Sequence, residues 1–323
     1  MDVAPIDIAS RLDDEHRPVF EGMPRPQRDW SDIPGTRARM AEMRASLPQP
    51  VLPANVAIED RTVPGPAGDP DVRLRLYRPE GLPQRAGAFY WIHGGGMVMG
   101  NVEMSDPYCA NIADKLNVLV ASVEYRLAPE DPFPAPLEDC YAGLAWLWRS
   151  REELGVDPNR IAIGGGSAGG GLAAGVALAA RDRGEIELCY QLLVYPMLDD
   201  RNATRSSHAV QDSRTWNREA NDAGWNAYLA GNAGGEDVSP YAAPARATDL
   251  AGLPPAYINV GDLDLFVDED VAYARALADA GVPVELHVYP GAYHGSNGAV
   301  PTSVLSRRWA ADELASLGRA LAG

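Results

Sequence analysis

Arg160 to Leu172, RIAIGGGSAGGGL, runs from a short apolar segment into a cluster of glycines and then into an alanine-rich stretch with helical period. Gly165-Gly166-Ser167-Ala168-Gly169 fits G-x-S-x-G, a sharp strand-to-helix turn that exposes a serine hydroxyl and needs small neighbours to keep the backbone free of clashes. The same letters fit a second pattern. Gly164, Gly166 and Gly169 match G-x-G-x-x-G, the dinucleotide fingerprint of NAD(P)-binding oxidoreductases, which also follows a strand and opens a helix. The choice between them depends on what the rest of the chain supplies around Ser167.

Outward from this stretch, the period of the apolar residues divides the chain. Asn55 to Val63 and Asp71 to Arg78 read as two strands joined by the turn PGPAGDP, the second alternating Val72, Leu74 and Leu76 with Arg73, Arg75 and Tyr77, so an antiparallel hairpin is expected. From Ala88 the alternation gives way to continuous apolar runs: Ala88 to Ile92, Val118 to Val123, Arg160 to Ile163, Leu188 to Tyr195, Ala256 to Val260 and Val284 to Tyr289. Such runs suit strands covered on both faces of a parallel sheet. Helical patterns lie between and after them at Pro107 to Leu116, Pro136 to Arg149, Gly169 to Arg183, Glu269 to Ala280 and Ser303 to Leu321. The expected fold is therefore α/β, with about eight strands. Two regions stand outside this alternation. Residues 1–50 are charged and punctuated by proline, with a helix expected over Thr36 to Leu47 that sets Met40, Met43 and Leu47 on one face. From Met197 to Pro255 no strand is legible, and long excursions of this kind often cover a site.

The dinucleotide reading fares poorly on position. That fingerprint belongs in the first strand-helix turn, with an acidic residue ~20 positions on at the end of the next strand. Here it arrives late, and Glu185 and Glu187 precede the next strand instead of ending it. The nucleophile reading demands an oxyanion loop after the third strand, then an acid and a histidine after later strands, in that order. His93-Gly94-Gly95-Gly96 follows Ala88 to Ile92, where glycines let backbone N–H groups approach a developing oxyanion. The run GDLDLFVDE, 261–269, follows Ala256 to Val260 and offers several acids, among them Asp262 and Asp264. Of the five histidines, His16 and His208 fall in the irregular regions, His287 lies within a strand and His93 in the glycine loop; His294, after Val284 to Tyr289, has the required place.

Composition narrows the partners. The 45 acidic against 28 basic residues give a formal net charge of −17, which argues against nucleic acid and against an anionic membrane surface. Only Lys115 is a lysine. Cys109, Cys140 and Cys189 show no metal-ligand spacing, and reduced, buried thiols are expected. The first residues, MDVAPIDIASRLDDEHRP, lack a basic segment followed by an apolar one, and no run approaches ~18 apolar residues, so a cytoplasmic location is expected. The oligomeric state, a homo-oligomer included, stays open at this level.

Taken together, HGGG (93–96), EYRLAPEDPFPAPLED (124–139), GGSAGG (165–170), DLFVDE (264–269) and YHG (293–295) resemble the hormone-sensitive-lipase-like family of microbial carboxylesterases. The resemblance covers roughly residues 50–323. It implies the α/β-hydrolase fold: a mostly parallel sheet of about eight strands, helices on both faces and a helical cap. The division it implies is an N-terminal cap arm over 1–50 and a catalytic domain over 51–323, with a cap insertion at about 197–236. It implies a serine carboxylesterase acting on short to medium acyl esters through an acyl-enzyme, with Ser167, Asp264 and His294 as triad and the N–H groups of Gly94, Gly95 and Ala168 as oxyanion hole. No metal or organic cofactor is implied. The acid is carried to Asp264 because DLFVDE resembles the family's D-P-L-R-D-E, with Asp262 as local competitor. The family usually has G-D-S-A-G-G, and Gly166 stands where its aspartate would be. Amidase, lactonase and deacetylase chemistry would use the same triad. Relatives among plant hormone receptors bind ligands without the catalytic histidine, so a non-catalytic binding protein on this scaffold is the other alternative; His294 is present here.

Overall fold

The computed structural model describes residues 3–26, 28–46 and 50–322. Its eight strands are β1 (Val56–Val63), β2 (Val72–Pro79), β3 (Ala86–Ile92), β4 (Leu119–Glu124), β5 (Val156–Gly166), β6 (Tyr190–Val194), β7 (Ala256–Gly261) and β8 (Val284–Tyr289). They form one sheet in the order β1-β2-β4-β3-β5-β6-β7-β8. β1 pairs with β2, and β2 with β4, antiparallel, and every later pairing is parallel. The expected hairpin edge and parallel body are both present. The chain adopts the α/β-hydrolase fold.

The sheet splits the core into two layers because side chains alternate along each strand. Along β3, Ala88, Tyr90 and Ile92 join Leu137, Cys140 and Leu144 of the helix Ala135–Arg149, whereas Phe89 and Trp91 join Cys109 and Ile112 of the helix Asp106–Leu116 and Trp309 and Leu317 of the helix Val304–Leu321. Helices therefore cover both faces. The helix Ala168–Arg183 is buried continuously from Ala168 to Ala180 and consists largely of glycine and alanine, which lets it sit close against β5.

Besides the edge strand β8, whose Leu286 and Val288 are exposed although cover on both faces was expected, three details differ from the sequence expectation. β5 begins at Val156, not Arg160; Ala86 pairs with Val156 but Ala88 with Ile161, so the polar Asp157-Pro158-Asn159 segment is taken up in a register break. The helix expected over Thr36 to Leu47 runs Ile33–Ala45, after two shorter ones at Ile8–Arg11 and Arg17–Gly22, with the Asp32 carboxylate accepting from Gly35 N at 2.9 Å. It buries Ile33 and Thr36, and Met40 packs partly buried against the core, whereas Met43 is 56 % exposed, so only part of the expected methionine face is covered; Leu47 lies outside the described residues. Polar contacts anchor this helix as well: Arg37 donates to the carbonyls of Val98 (2.8 Å) and Ala128 (2.9 Å) and pairs with Glu130 (2.9 Å). Third, Cys109 and Cys140 are buried but Cys189 is only half-buried. Among the described residues of 197–255 there is no strand, and the helix Arg218–Tyr228 buries Trp225 and Tyr228 completely. No described helix is long and apolar enough to cross a membrane.

Candidate active site

Ser167 stands between the last residue of β5 and the helix Ala168–Arg183, at φ 59° and ψ −124°. A positive φ at a serine is strained by about 1–3 kcal/mol and persists only where surroundings enforce it. Here Ser167 N donates to Val194 O (2.8 Å), and Ser167 O accepts from Met197 N (3.0 Å) and Gly171 N (3.1 Å). The turn is tight enough that a Cβ on Gly165 would lie 2.1 Å from Gly169 O. A Cβ on Gly166 would instead meet only Trp91 and Tyr195 ring carbons, at 3.6 to 3.7 Å. Gly166, the position that departs from the family pattern, therefore leaves space that a side chain can occupy. Gly165→Ala is expected to destabilise the protein by about 3 kcal/mol or more, and Gly166→Ala to shift stability by about 1 kcal/mol or less; urea unfolding of the two variants checks the contrast.

The three glycines of the dinucleotide pattern do not form a phosphate loop. Gly164 is inside β5, paired with Leu192 of β6, and a Cβ there would strike Leu192 O at 2.6 Å and the Phe89 ring at 2.7 Å. Small size at this position serves sheet packing, which disfavours the cofactor alternative.

His294, in the loop after β8, reaches both other candidate residues. Its Nε2 lies 2.9 Å from Ser167 Oγ and its Nδ1 2.7 Å from Asp264 Oδ2. With the ring proton on Nδ1 facing the carboxylate, Nε2 is free to accept from the serine hydroxyl. Asp264 is buried, and its other oxygen accepts from Phe266 N at 3.0 Å. The rings of Tyr195 and Phe266 pack edge-on against the imidazole, with centroids 4.6 and 5.2 Å away. Asp262 is engaged elsewhere: it accepts from Gly291 N (2.7 Å) and pairs with Arg11 (2.7 Å).

The remaining acids of the 264–269 motif act as braces. Asp268 accepts from Ser206 N (2.7 Å) and Glu269 from Leu198 N (2.8 Å) and Asp199 N (3.2 Å), tying the strandless 197–255 region to the loop that carries Asp264. Burial pushes the Glu269 and Asp270 carboxyls well above the usual carboxylate range, with the neighbouring carboxylates adding to the shift.

Gly94 and Gly95 line the cavity together with Ser167, and Ala168 follows Ser167 in the chain. A Cβ on Gly94 would lie 2.7 Å from Gly166 O and 3.2 Å from Ser167 Cβ, and Gly95 adopts φ 123°, a conformation that disfavours every residue but glycine. The N–H groups of Gly94, Gly95 and Ala168 donate to no acceptor among the described residues. Ala168 also opens a helix whose dipole favours negative charge at that end. His93 supports the loop rather than reacting: it is buried, its Nδ1 lies 2.8 Å from Gly94 O, and its ring stacks on Tyr125, whose hydroxyl donates to His93 O at 2.9 Å. Burial pushes its pKa down to about 4, so the ring is neutral near pH 7. The EYRLAPEDPFPAPLED run has a similar supporting part, since Arg126 makes a two-pronged pair with buried Asp139 (2.8 and 2.7 Å) and Ala128 N donates to Met97 O (2.9 Å), bracing the glycine loop from beneath.

Ser167 and His294 open into a cavity of about 270 Å³, also walled by Trp91, Met99, Tyr195 and Trp216 and, from the N-terminal segment, by Arg28 and Met40. This is at or below the ~300–1,000 Å³ usual for ligand pockets. Sequence reading missed Arg28 and Tyr195. For Tyr195 a signal existed: it directly follows β6, at the carboxyl end of a parallel strand where ligands gather. Arg28 carries no such mark.

A strand-turn-helix serine, a histidine in reach of it and a buried acid, on a parallel sheet with an antiparallel edge, are the arrangement of the hydrolases of this fold. The family model described as "alpha/beta hydrolase fold" matches residues 89–297, and the chain belongs to that family, in its hormone-sensitive-lipase-like branch. It is similar to Esterase LipI of Mycobacterium tuberculosis (38 % identical over 263 residues, 81 % of each chain). It is also similar to Carboxylesterase NlhH of the same species (38 % over 267 residues, 81 % of this chain and 82 % of the relative). Among solved structures, one titled "Bacterial Heroin Esterase" superposes with a TM-score of 0.91 at 43 % identity, covering 97 % of this chain and 99 % of that one. The chain is a carboxylic ester hydrolase.

Proposed function

We propose that the protein hydrolyses short to medium acyl esters through an acyl-enzyme formed on Ser167. The observation that carries this reading is the hydrogen-bond chain from Ser167 Oγ through His294 to Asp264 Oδ2, 2.9 and 2.7 Å long. Ser167 Oγ attacks the ester carbonyl carbon while His294 Nε2 takes the hydroxyl proton, giving a tetrahedral intermediate. Asp264 holds the imidazole in the required tautomer and stabilises the imidazolium. The oxyanion is bound by the N–H groups of Gly94, Gly95 and Ala168, each such donor typically contributing about 2.7–4 kcal/mol. His294 returns the proton to the departing alcohol oxygen as the C–O bond breaks. Water, deprotonated by the same imidazole, then attacks the acyl carbon, and release of the acid restores the serine.

A cap built from residues 1–50 and about 197–236 belongs to the same reading; Arg28, Met40 and Trp216, from those two segments, wall the cavity. The small cavity volume supports short acyl chains. A series of p-nitrophenyl esters is expected to give the largest kcat/KM at a few acyl carbons, and a fluorophosphonate probe to label Ser167 stoichiometrically, read by peptide mass spectrometry. A maximum at long acyl chains would refute the substrate range, and absence of labelling on active protein would refute the nucleophile. A non-catalytic binding role is disfavoured because the hydroxyl, imidazole and carboxylate stand within hydrogen-bond reach of one another.

A further inference from the structure

Many arginines of this acidic chain are paired: Arg73, Arg75, Arg126, Arg201, Arg214 and Arg246 all meet carboxylates within 3.2 Å. Arg28 is different. It lines the cavity of Ser167 and His294, is half-buried, and has no carboxylate within ion-pair distance among the described residues. Its Nη1 donates to the carbonyls of Ser213 and Thr215, both at 3.2 Å, which fixes the guanidinium against the segment that carries Trp216. The opposite edge is unused: Nε is buried without a partner, and Nη2 donates to no group among the described residues. Burial pushes the pKa of Arg28 below its usual value with no acidic neighbour opposing the shift, and a guanidinium so shifted still carries its charge at neutral pH.

The remaining walls sharpen the contrast. Met40, Met99, Trp91, Trp216 and Tyr195 offer apolar and aromatic surface, so among the described residues Arg28 is the sole formal cation there other than a protonated histidine. Withdrawing a charge from water without a partner is unfavourable, and such a charge is compensated when a ligand supplies the counter-ion. Nε is shielded from the cavity, which leaves Nη2 as the donor open to a ligand, and a charge-assisted bond from it to a carboxylate oxygen contributes orientation as well as affinity. The small volume keeps any group held at the wall within a few bonds of the carbonyl under attack.

We propose that Arg28 is a specificity-determining residue that selects small esters bearing a free carboxylate, by binding that carboxylate through Nη2 while Ser167 addresses the ester carbonyl. The inference rests on the esterase reading of Ser167 and deepens it by naming the substrate class. The carboxylate enters on the acyl side, as in a hemiester of a short dicarboxylic acid, or on the alcohol side, as in an O-acyl hydroxy acid.

The test compares kcat/KM of the full-length enzyme for monoethyl succinate and for O-acetyl glycolate with the values for their uncharged isosteres, ethyl isocaproate and isobutyl acetate, at fixed ionic strength. At least one anionic ester is expected to be preferred by about 10-fold or more, and which one shows the side that Arg28 faces. Arg28→Gln, which keeps an amide donor on the side chain, is expected to remove that preference, lowering kcat/KM for the anionic ester at least about 10-fold more than for its neutral isostere. Arg28→Lys should restore part of it, since the charge returns on a shorter side chain with different donor directions. Thermal melts establish that the variants are folded. Wild-type enzyme that hydrolyses the neutral esters but shows no advantage for either anionic one would overturn the inference and leave the esterase reading standing. Equal losses on charged and neutral esters in Arg28→Gln would overturn it too, assigning Arg28 to loop support. Failure to hydrolyse any ester would refute the esterase reading itself, and the inference with it.

Discussion

Ser167→Ala is expected to lower kcat for a short-chain ester by about 10⁴-fold or more while leaving KM within a few-fold, because the variant keeps the cavity and the oxyanion donors and loses only the attacking oxygen. Removing the nucleophile of a serine protease costs about 10⁶-fold, and a residual rate over water survives from binding and oxyanion contacts. Stability should change by about 1 kcal/mol or less, since alanine meets the same strain at φ 59° that serine does and the bonds holding the turn are made by the backbone. A folded variant that hydrolyses the ester at the wild-type rate would remove Ser167 from the mechanism.

The second large effect separates two aspartates on one loop. Asp264→Asn is expected to lower kcat by about 10³–10⁴-fold, because an amide facing His294 Nδ1 favours the wrong tautomer and no longer stabilises the imidazolium. Asp262→Asn should leave activity within about 3-fold. Its carboxylate pairs with Arg11, which is half exposed, and a pair of that kind contributes about 1 kcal/mol or less. Steady-state kinetics on both variants, with unfolding curves beside them, read the difference. A larger loss in Asp262→Asn would transfer the acid's role from one residue to the other.

Much of the fold was legible because the signals are local. Alternation in Val72 to Arg78 and the apolar runs from Ala88 to Val260 follow from whether one or both faces of a strand are covered, whereas the edge strand β8, expected to be covered on both faces, leaves Leu286 and Val288 exposed. The start of β5 was not legible, since Val156-Asp-Pro-Asn-Arg160 reads as a polar loop and becomes strand only by pairing through a register break with β3. The N-terminal helix misled in another way. Its methionine spacing suggested an apolar face, of which Met40 packs on the core and Met43 is exposed, and the helix is also fastened by Arg37, bonded to carbonyls far along the chain, a contact that no periodicity announces.

The candidate site divides along the same line. By itself the amino-acid sequence determined the turn at Ser167, the glycine loop at 93–96 and the order of serine, acid and histidine, because each depends on small residues at short spacing or on the ends of recognisable strands. It also marked Gly166 as a departure from the family pattern. Only the tertiary structure decided that Asp264 and not Asp262 faces His294, since two residues in one turn differ in direction and not in chemistry. It also decided that Arg28, Met40, Tyr195 and Trp216, drawn from separate segments, wall a single small cavity. Such convergence is produced by long-range packing, which leaves no period or spacing in the chain to read.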